Sequence, residues 1–266
     1  MKAMIFAAGL GTRLKPITDT LPKALVPVCG EPLIKRVVTN LQAAGIGDFV
    51  VNVHHFADKI VSYLQEQGDF GARISVSDES GRLLETGGGI LHARDLLLSR
   101  HPELSEGSPS DRFLVHNVDI LSDLDIRWFI GSWRPDALAV LLVSSRKTQR
   151  YLLFNDDMRL VGWTNIATGE VRSPYPGLDP SKCRMLAFSG IHQISCGVFD
   201  AMEEKEMGER FPIMDFYLKV CGKYPIYGVE PASLELIDVG KLDTLAVAED
   251  FIRRQALRSC PACPEA

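Results

Sequence analysis

Apolar residues fall in short blocks separated by amphipathic stretches. Residues 4–8 are wholly apolar, which suits a strand covered on both faces, and the run stops at Gly9-Leu10-Gly11. From Glu31-Pro32, apolar positions at Leu33, Ile34, Val37, Val38, Leu41 and Ala44 recur on one face until Gly45, predicting a crossover helix with proline in its first turn. A β-branched run at 49–53, an amphipathic segment marked by Phe56, Ile60 and Leu64, and a third run at 73–77 complete a β-α-β-α-β alternation. Such alternation calls for an α/β fold: parallel strands, right-handed crossovers, helices on both faces, and a ligand site at the carboxyl edge where the strand order reverses.

The pattern continues with glycines at helix and strand ends. The segment 84–90 holds three consecutive glycines and leads into a helix through His92, Ala93, Leu96 and Leu97. Residues 99–112 lack an apolar period and read as a surface loop. The run 113–115 resumes the sheet and enters His116-Asn117-Val118-Asp119, which brings a carboxylate to the edge that carries the first glycine loop. A buried strand is expected at 137–143, then strands at 151–154, 160–163 and 185–191 that form an excursion over the core. The polar, proline-rich stretch 164–182 is long enough for a mobile hairpin or lid. A helix at 211–220, a strand at 236–240 and a helix at 244–257 follow; Asp238 lies among apolar neighbours, where a carboxylate without a partner is costly.

Composition narrows the function classes. With 266 residues the chain suits one large α/β domain, and a chain of this size buries roughly three quarters of its unfolded surface. Its 29 basic and 34 acidic residues leave a net charge of −5 without a long basic run, which argues against nucleic acid as a partner. No apolar stretch approaches the ~20 residues that span a bilayer, and the six cysteines show no small-domain disulfide spacing, so neither membrane nor export is expected and the cytoplasm is the default location. Cys260-Pro261-Ala262-Cys263 has no second pair and reads as an inert tail. His54, His55 and His192 border apolar runs and read as packing or edge residues; Trp128, Trp133 and Trp163 read as core or rim.

The first loop carries the candidate chemistry. Gly9 and Gly11 leave main-chain amides free to converge on an anion, Arg13 and Lys23 add two cations, and Pro16 and Pro22 stiffen the segment that holds them. That set suits a polyphosphate. A dinucleotide fold is excluded by spacing, because Leu14 stands where the third glycine of G-x-G-x-x-G should pack the helix, and no Walker loop is present.

Gly9, Gly11, Thr12, Arg13, Leu14, Pro16, Thr18, Pro22 and Lys23 together resemble the G-x-G-T-R-L-x-P-x-T…P-K signature of the sugar-nucleotidyltransferase family. Further matches at 84–90, 117–119, 188–191 and 237–240 spread the likeness along the chain. The resemblance implies a three-layer αβα, Rossmann-like core with a mostly parallel mixed sheet. Residues 1–120 would form the nucleotide-binding half, 121–240 the sugar-binding half, and 241–266 a terminal helix and tail of one domain, acting as a monomer or small homo-oligomer. The activity it implies is Mg²⁺-dependent attack of a sugar 1-phosphate on the α-phosphate of UTP, or another nucleoside triphosphate, releasing pyrophosphate and needing no side-chain nucleophile.

By the same resemblance, Arg13 and Lys23 clamp phosphates while Asp119 and Asp238 hold the metal. Ala8, Gly9, Gly11, Thr12, Glu85, Thr86, Gly88 and Asn117 contact the nucleotide, and Gly190 in Phe188-Ser189-Gly190-Ile191 offers its backbone to the sugar. Val118 departs from the family's smaller residue. The family's Glu-Lys-Pro sugar motif is not evident, which weakens glucose 1-phosphate as substrate. Ala-Ala-Gly before the loop, the Leu-Glu-Thr-Gly-Gly-Gly wall and the Phe-Ser-Gly-Ile turn resemble members that take N-acetylmuramate 1-phosphate in cell-wall recycling. The rivals are a glucose-1-phosphate thymidylyltransferase, a mannose- or heptose-1-phosphate guanylyltransferase and, outside the enzymes, a nucleotide-sugar sensor.

Overall fold

Side-chain alternation in β1 (Lys2–Phe6) sends Ala3 and Ile5 into one apolar layer and Met4 into the other, and all three are fully buried. A strand covered on both faces belongs at the centre of a sheet. The computed structural model describes residues 1–99 and 112–259, so most of the loop expected at 99–112 and the Cys260/Cys263 pair lie outside the described residues.

After β1, a two-residue hairpin, β2 (Pro27–Val28) and β3 (Glu31–Pro32), precedes α1 (Leu33–Ala43), β4 (Asp48–Val53), α2 (Ala57–Glu66) and β5 (Arg73–Asp78). There follow α3 (Glu85–His92), α4 (Arg94–Leu98), β6 (Arg112–Asn117), β7 (Ile120–Ser122), α5 (Ile126–Gly131) and β8 (Ala139–Ser144). The remainder comprises β9 (Arg150–Phe154), β10 (Leu160–Asn165), β11 (Glu170–Arg172), the long β12 (Arg184–Ser195), α6 (Val198–Glu204), α7 (Ile213–Val220), β13 (Ile226–Val229), β14 (Leu236–Asp238) and α8 (Leu242–Ser259).

The central strands run in the order β5-β4-β1-β6-β12-β8-β13, all parallel except β12. Its first residues, 184–186, pair instead with β9, which carries β10 and β11 outward as an antiparallel meander. Buried residues of α1, α2, α5 and α8 cover one face, and those of α3, α4, α6 and α7 cover the other. The three-layer mixed sheet expected from the sequence is the one observed. Register aligns Phe6 with Asn52 on one side and Asn117 on the other, so β1, β4 and β6 end together.

Three local features depart from the sequence pattern. Glu31-Pro32 belongs to the hairpin, and Pro32 caps α1 in an extended conformation (ψ 144°) because its ring suits a helix entrance better than an interior. The final strand does not join the main sheet: β14 pairs with β7 as a separate ribbon. α5, α6 and β13 are absent from the periodicity reading, since short apolar runs do not distinguish buried helix from buried strand. The stretch 164–182 forms the β10–β11 hairpin and a return turn.

Two buried histidines couple this core to pH. His192, between β6 and β8, faces Tyr217, whose hydroxyl lies 2.9 Å from Nδ1. Burial lowers the pKa of His192 to about 3 and that of His116 to about 4. Both imidazoles are therefore neutral in the folded chain and take up protons on unfolding below their ordinary pKa. Stability should fall as pH drops from about 6.5 toward 4, by roughly 1.4 kcal/mol per pH unit for each histidine. Urea unfolding at pH 7, 6 and 5 checks this: His192→Gln should flatten the slope, and an unchanged slope contradicts it.

Candidate active site

The loop after β1 is built from short 3₁₀ turns pinned by buried residues. Leu14, fully buried, anchors the turn Thr12–Leu14, and Thr18 Oγ1 donates to the Gly11 carbonyl at 2.8 Å. Gly11 adopts a left-handed conformation (φ 64°), and a Cβ there would lie 2.8 Å from Thr18 Cγ2. A Cβ on Gly9 would meet nothing within 4 Å. Gly11 thus shapes the loop, whereas Gly9 borders open space.

That space is a cleft of about 210 Å³ lined by Phe6, Ala8, Gly9, Lys23, Asn52, Glu79, Leu83, Glu85, Thr86, Asn117, Val118 and Asp119. Seven expected residues, Ala8, Gly9, Lys23, Glu85, Thr86, Asn117 and Asp119, line it together. Lys23, in the turn Lys23–Leu25, forms an ion pair with Asp119 at the end of β6, with both side chains mostly covered.

Asp238 reaches Asp119 from the other side. The ribbon sets Asp238 opposite Ile120, and the Val239 amide donates to the Asp119 carbonyl at 2.8 Å. The two carboxyl groups lie close enough for the charge of one to act on the other. Asp238 is exposed, yet partial loss of hydration beside its neighbours, followed by the charge of Asp119, raises its pKa above the ordinary value; Lys23 and Arg13 oppose that rise. Arg13 is held here by a missing methyl: a Cβ on Gly240 would lie 2.7 Å from Arg13 Nη2 and 2.5 Å from Asp238 Oδ1. Arg13, Lys23, Asp119 and Asp238, drawn from three distant parts of the chain, meet at one carboxyl edge.

One expected contact, that of Gly88, is corrected. Residues 87–89 lie inside α3 rather than before it, because α3 packs too closely on its neighbours to admit side chains: Cβ atoms on Gly87 and Gly88 would collide with Phe211 and Glu209. The amides of Gly87 and Gly88 donate to the Phe211 carbonyl at 2.8 and 3.2 Å, so Gly88 does not present a free amide to a base. Gly190 (φ 76°) makes room for Asn117, whose Nδ2 would lie 2.8 Å from a Cβ there, so its role in this geometry is to seat Asn117. Thr12 lies within the first turn and does not line the cleft.

Asn52 and Glu79 are site residues that the sequence reading passed over. Asn52 Oδ1 accepts from the Ala7 amide at 2.8 Å and its Nδ2 donates to Glu79 Oε1 at 2.7 Å. Glu79 Oε2 accepts from the Leu84 amide at 3.4 Å. Glu79 is only 3% exposed, and burial raises its pKa. This relay ties the ends of β1, β4 and β5 to the entrance of α3, and so fixes one wall of the cleft against the other. The available signal was Asn52 itself, a lone amide in the run Val-Val-Asn-Val, where a buried polar group needs a partner.

Among the described residues, no group of three or more His, Cys, Asp or Glu side chains could hold a metal ion, so Asp119 and Asp238 form a two-carboxylate donor set. Such a pair, open to a cleft, fits a hard divalent cation that keeps positions for water and phosphate oxygens.

The nucleotidyl transferase family model matches residues 2–151, more than half of the chain, and the chain belongs to that family. It is a sugar-1-phosphate nucleotidyltransferase. It is 36% identical over 200 residues to the N-acetylmuramate alpha-1-phosphate uridylyltransferase of Caulobacter vibrioides, covering 71% of this chain and 73% of that protein. It is 42% identical over 125 residues to the enzyme of the same name from Neisseria meningitidis serogroup B, covering 47% of this chain and 49% of the relative. The fold matches HddC from Yersinia pseudotuberculosis with a TM-score of 0.71 at 21% identity, over 94% of this chain and 99% of that one.

The two loop glycines should separate on substitution. Gly11→Ala should destabilise the fold by about 2 kcal/mol, from backbone strain and the Thr18 contact. Gly9→Ala should leave stability within about 0.5 kcal/mol while weakening nucleotide binding. Thermal unfolding and nucleotide titration of both variants check this, and equal destabilisation would contradict it.

Proposed function

We propose that the chain couples UTP with N-acetylmuramate 1-phosphate, in the presence of Mg²⁺, to give the UDP-sugar and pyrophosphate. The observation that carries this reading is its identity of 36% and 42% to two N-acetylmuramate alpha-1-phosphate uridylyltransferases, together with a cleft lined by Lys23 and Asp119, beside which Arg13 and Asp238 meet. Cell-wall recycling in the cytoplasm is the setting that fits such an enzyme.

The nucleotide lies in the cleft beside Gly9, with its phosphates directed to the loop. Arg13 faces the departing β- and γ-phosphates. Lys23, paired with Asp119 in the free protein, keeps its ammonium at the edge until an α-phosphate or sugar-phosphate oxygen competes for it. An ionised oxygen of the sugar 1-phosphate attacks the α-phosphorus in line; a new P–O bond forms as the α–β bridge bond breaks, and pyrophosphate carries away the electron pair. The attacking phosphate is already ionised near neutral pH, so no general base is required. When bound at Asp119 and Asp238, the divalent ion supplies charge neutralisation for the phosphate oxygens. Catalysis by the chain is alignment and electrostatic stabilisation.

The test is pyrophosphate release with UTP, dTTP, GTP, CTP and ATP, each crossed with N-acetylmuramate, glucose, N-acetylglucosamine and mannose 1-phosphates. Turnover confined to UTP with N-acetylmuramate 1-phosphate is expected. Arg13→Ala, Asp119→Asn and Asp238→Asn should each lower kcat/KM by on the order of 10²–10³. Turnover with GTP and mannose 1-phosphate would overturn the substrate reading. Nucleotide binding without any turnover would overturn the enzymatic one.

A further inference from the structure

At the far end of the sheet from Gly9, the carboxyl ends of β8 and β13 frame a second depression lined by Ser144, Ser145, Arg146, Glu230, Ser233 and Leu236, among others. It adjoins the reaction centre. Leu236 and Asp238 share one face of β14, because side chains alternate along a strand. Arg146 Nη2 donates to the Phe188 carbonyl at 3.0 Å, two residues from the Gly190 turn that seats Asn117. A nucleotide in the first cleft leaves this depression to the sugar.

Its charge is informative. The linker from β8 to β9 carries Arg146 and Lys147 and no acidic residue. The one acid in the lining, Glu230, is balanced by Arg184 at 3.0 Å. Arg146 has no carboxylate partner among the described residues; its recorded bond is to the Phe188 carbonyl. A carboxylate matches the fork of the Arg146 guanidinium with two parallel, charge-assisted hydrogen bonds, which a sugar hydroxyl cannot do.

We propose that this depression is a subsite for a carboxylate carried on the sugar, with Arg146 as its charge partner. The inference rests on the proposed sugar 1-phosphate reading and names the contact that selects within it. Arg146 acts on specificity and touches none of the reacting atoms.

N-acetylmuramate 1-phosphate and N-acetylglucosamine 1-phosphate differ by one lactyl ether that bears a carboxylate, so the ratio of their kcat/KM values with UTP isolates the contact. In Arg146→Gln that ratio should fall about 10- to 100-fold, mainly through KM for the carboxylated sugar. Arg146→Lys, which keeps the charge but not the fork, should fall between. Equal slowing of both sugars would place Arg146 on the shared phosphate and overturn the subsite, as would an unchanged ratio; both results leave the proposed function standing. A wild-type protein that accepts neutral sugar phosphates and rejects the carboxylated one would overturn subsite and function together.

Discussion

Asp119 and Asp238 are brought side by side by a two-stranded ribbon that stands apart from the main sheet, and like charges so close repel unless positive charge lies beside them. The surrounding structure supplies that charge. Lys23 reaches Asp119 from a loop stiffened by two prolines, and Arg13 approaches Asp238 through the space left by Gly240. The ends of β1, β4 and β6 are level because their register is parallel and unbroken, so the phosphate loop, Asn52 and Asn117 all open onto the same cleft. In this arrangement the antiparallel ribbon is as necessary as the parallel sheet, since it alone carries the second carboxylate.

The two ends of the sheet divide the labour. Beside Gly9 the cleft is narrow, and its walls are tied by the Asn52–Glu79 relay to the entrance of α3. Toward β8 and β13 the edge is wider and more basic, and the β9–β10–β11 meander extends from it. A substrate pair that meets at Asp119 and Asp238 would therefore place its base and its sugar in environments of different rigidity.

Much of this was legible in the chain. The apolar run before Gly9, the cations at 13 and 23, and the acids at 119 and 238 each stand out locally, and strand alternation brings them to one edge. Less legible were interactions whose partners are far apart in sequence. Gly87 and Gly88 look like a ligand wall, but a segment more than a hundred residues away packs against them and occupies their amides. The part Gly190 plays in seating Asn117 is likewise visible only when the two are set together. Glu79 gives no sequence signal, because its role depends on being buried between Asn52 and the start of α3.

The central claim is that Asp119 and Asp238 form one divalent-cation site completed by nucleotide phosphates. Manganese binding followed by electron paramagnetic resonance, with and without a non-hydrolysable UTP analogue, tests it without reliance on turnover. Tight binding that requires the analogue and weakens at least tenfold in both Asp119→Asn and Asp238→Asn is the predicted result. Manganese binding that is unaffected by Asp238→Asn would contradict the account.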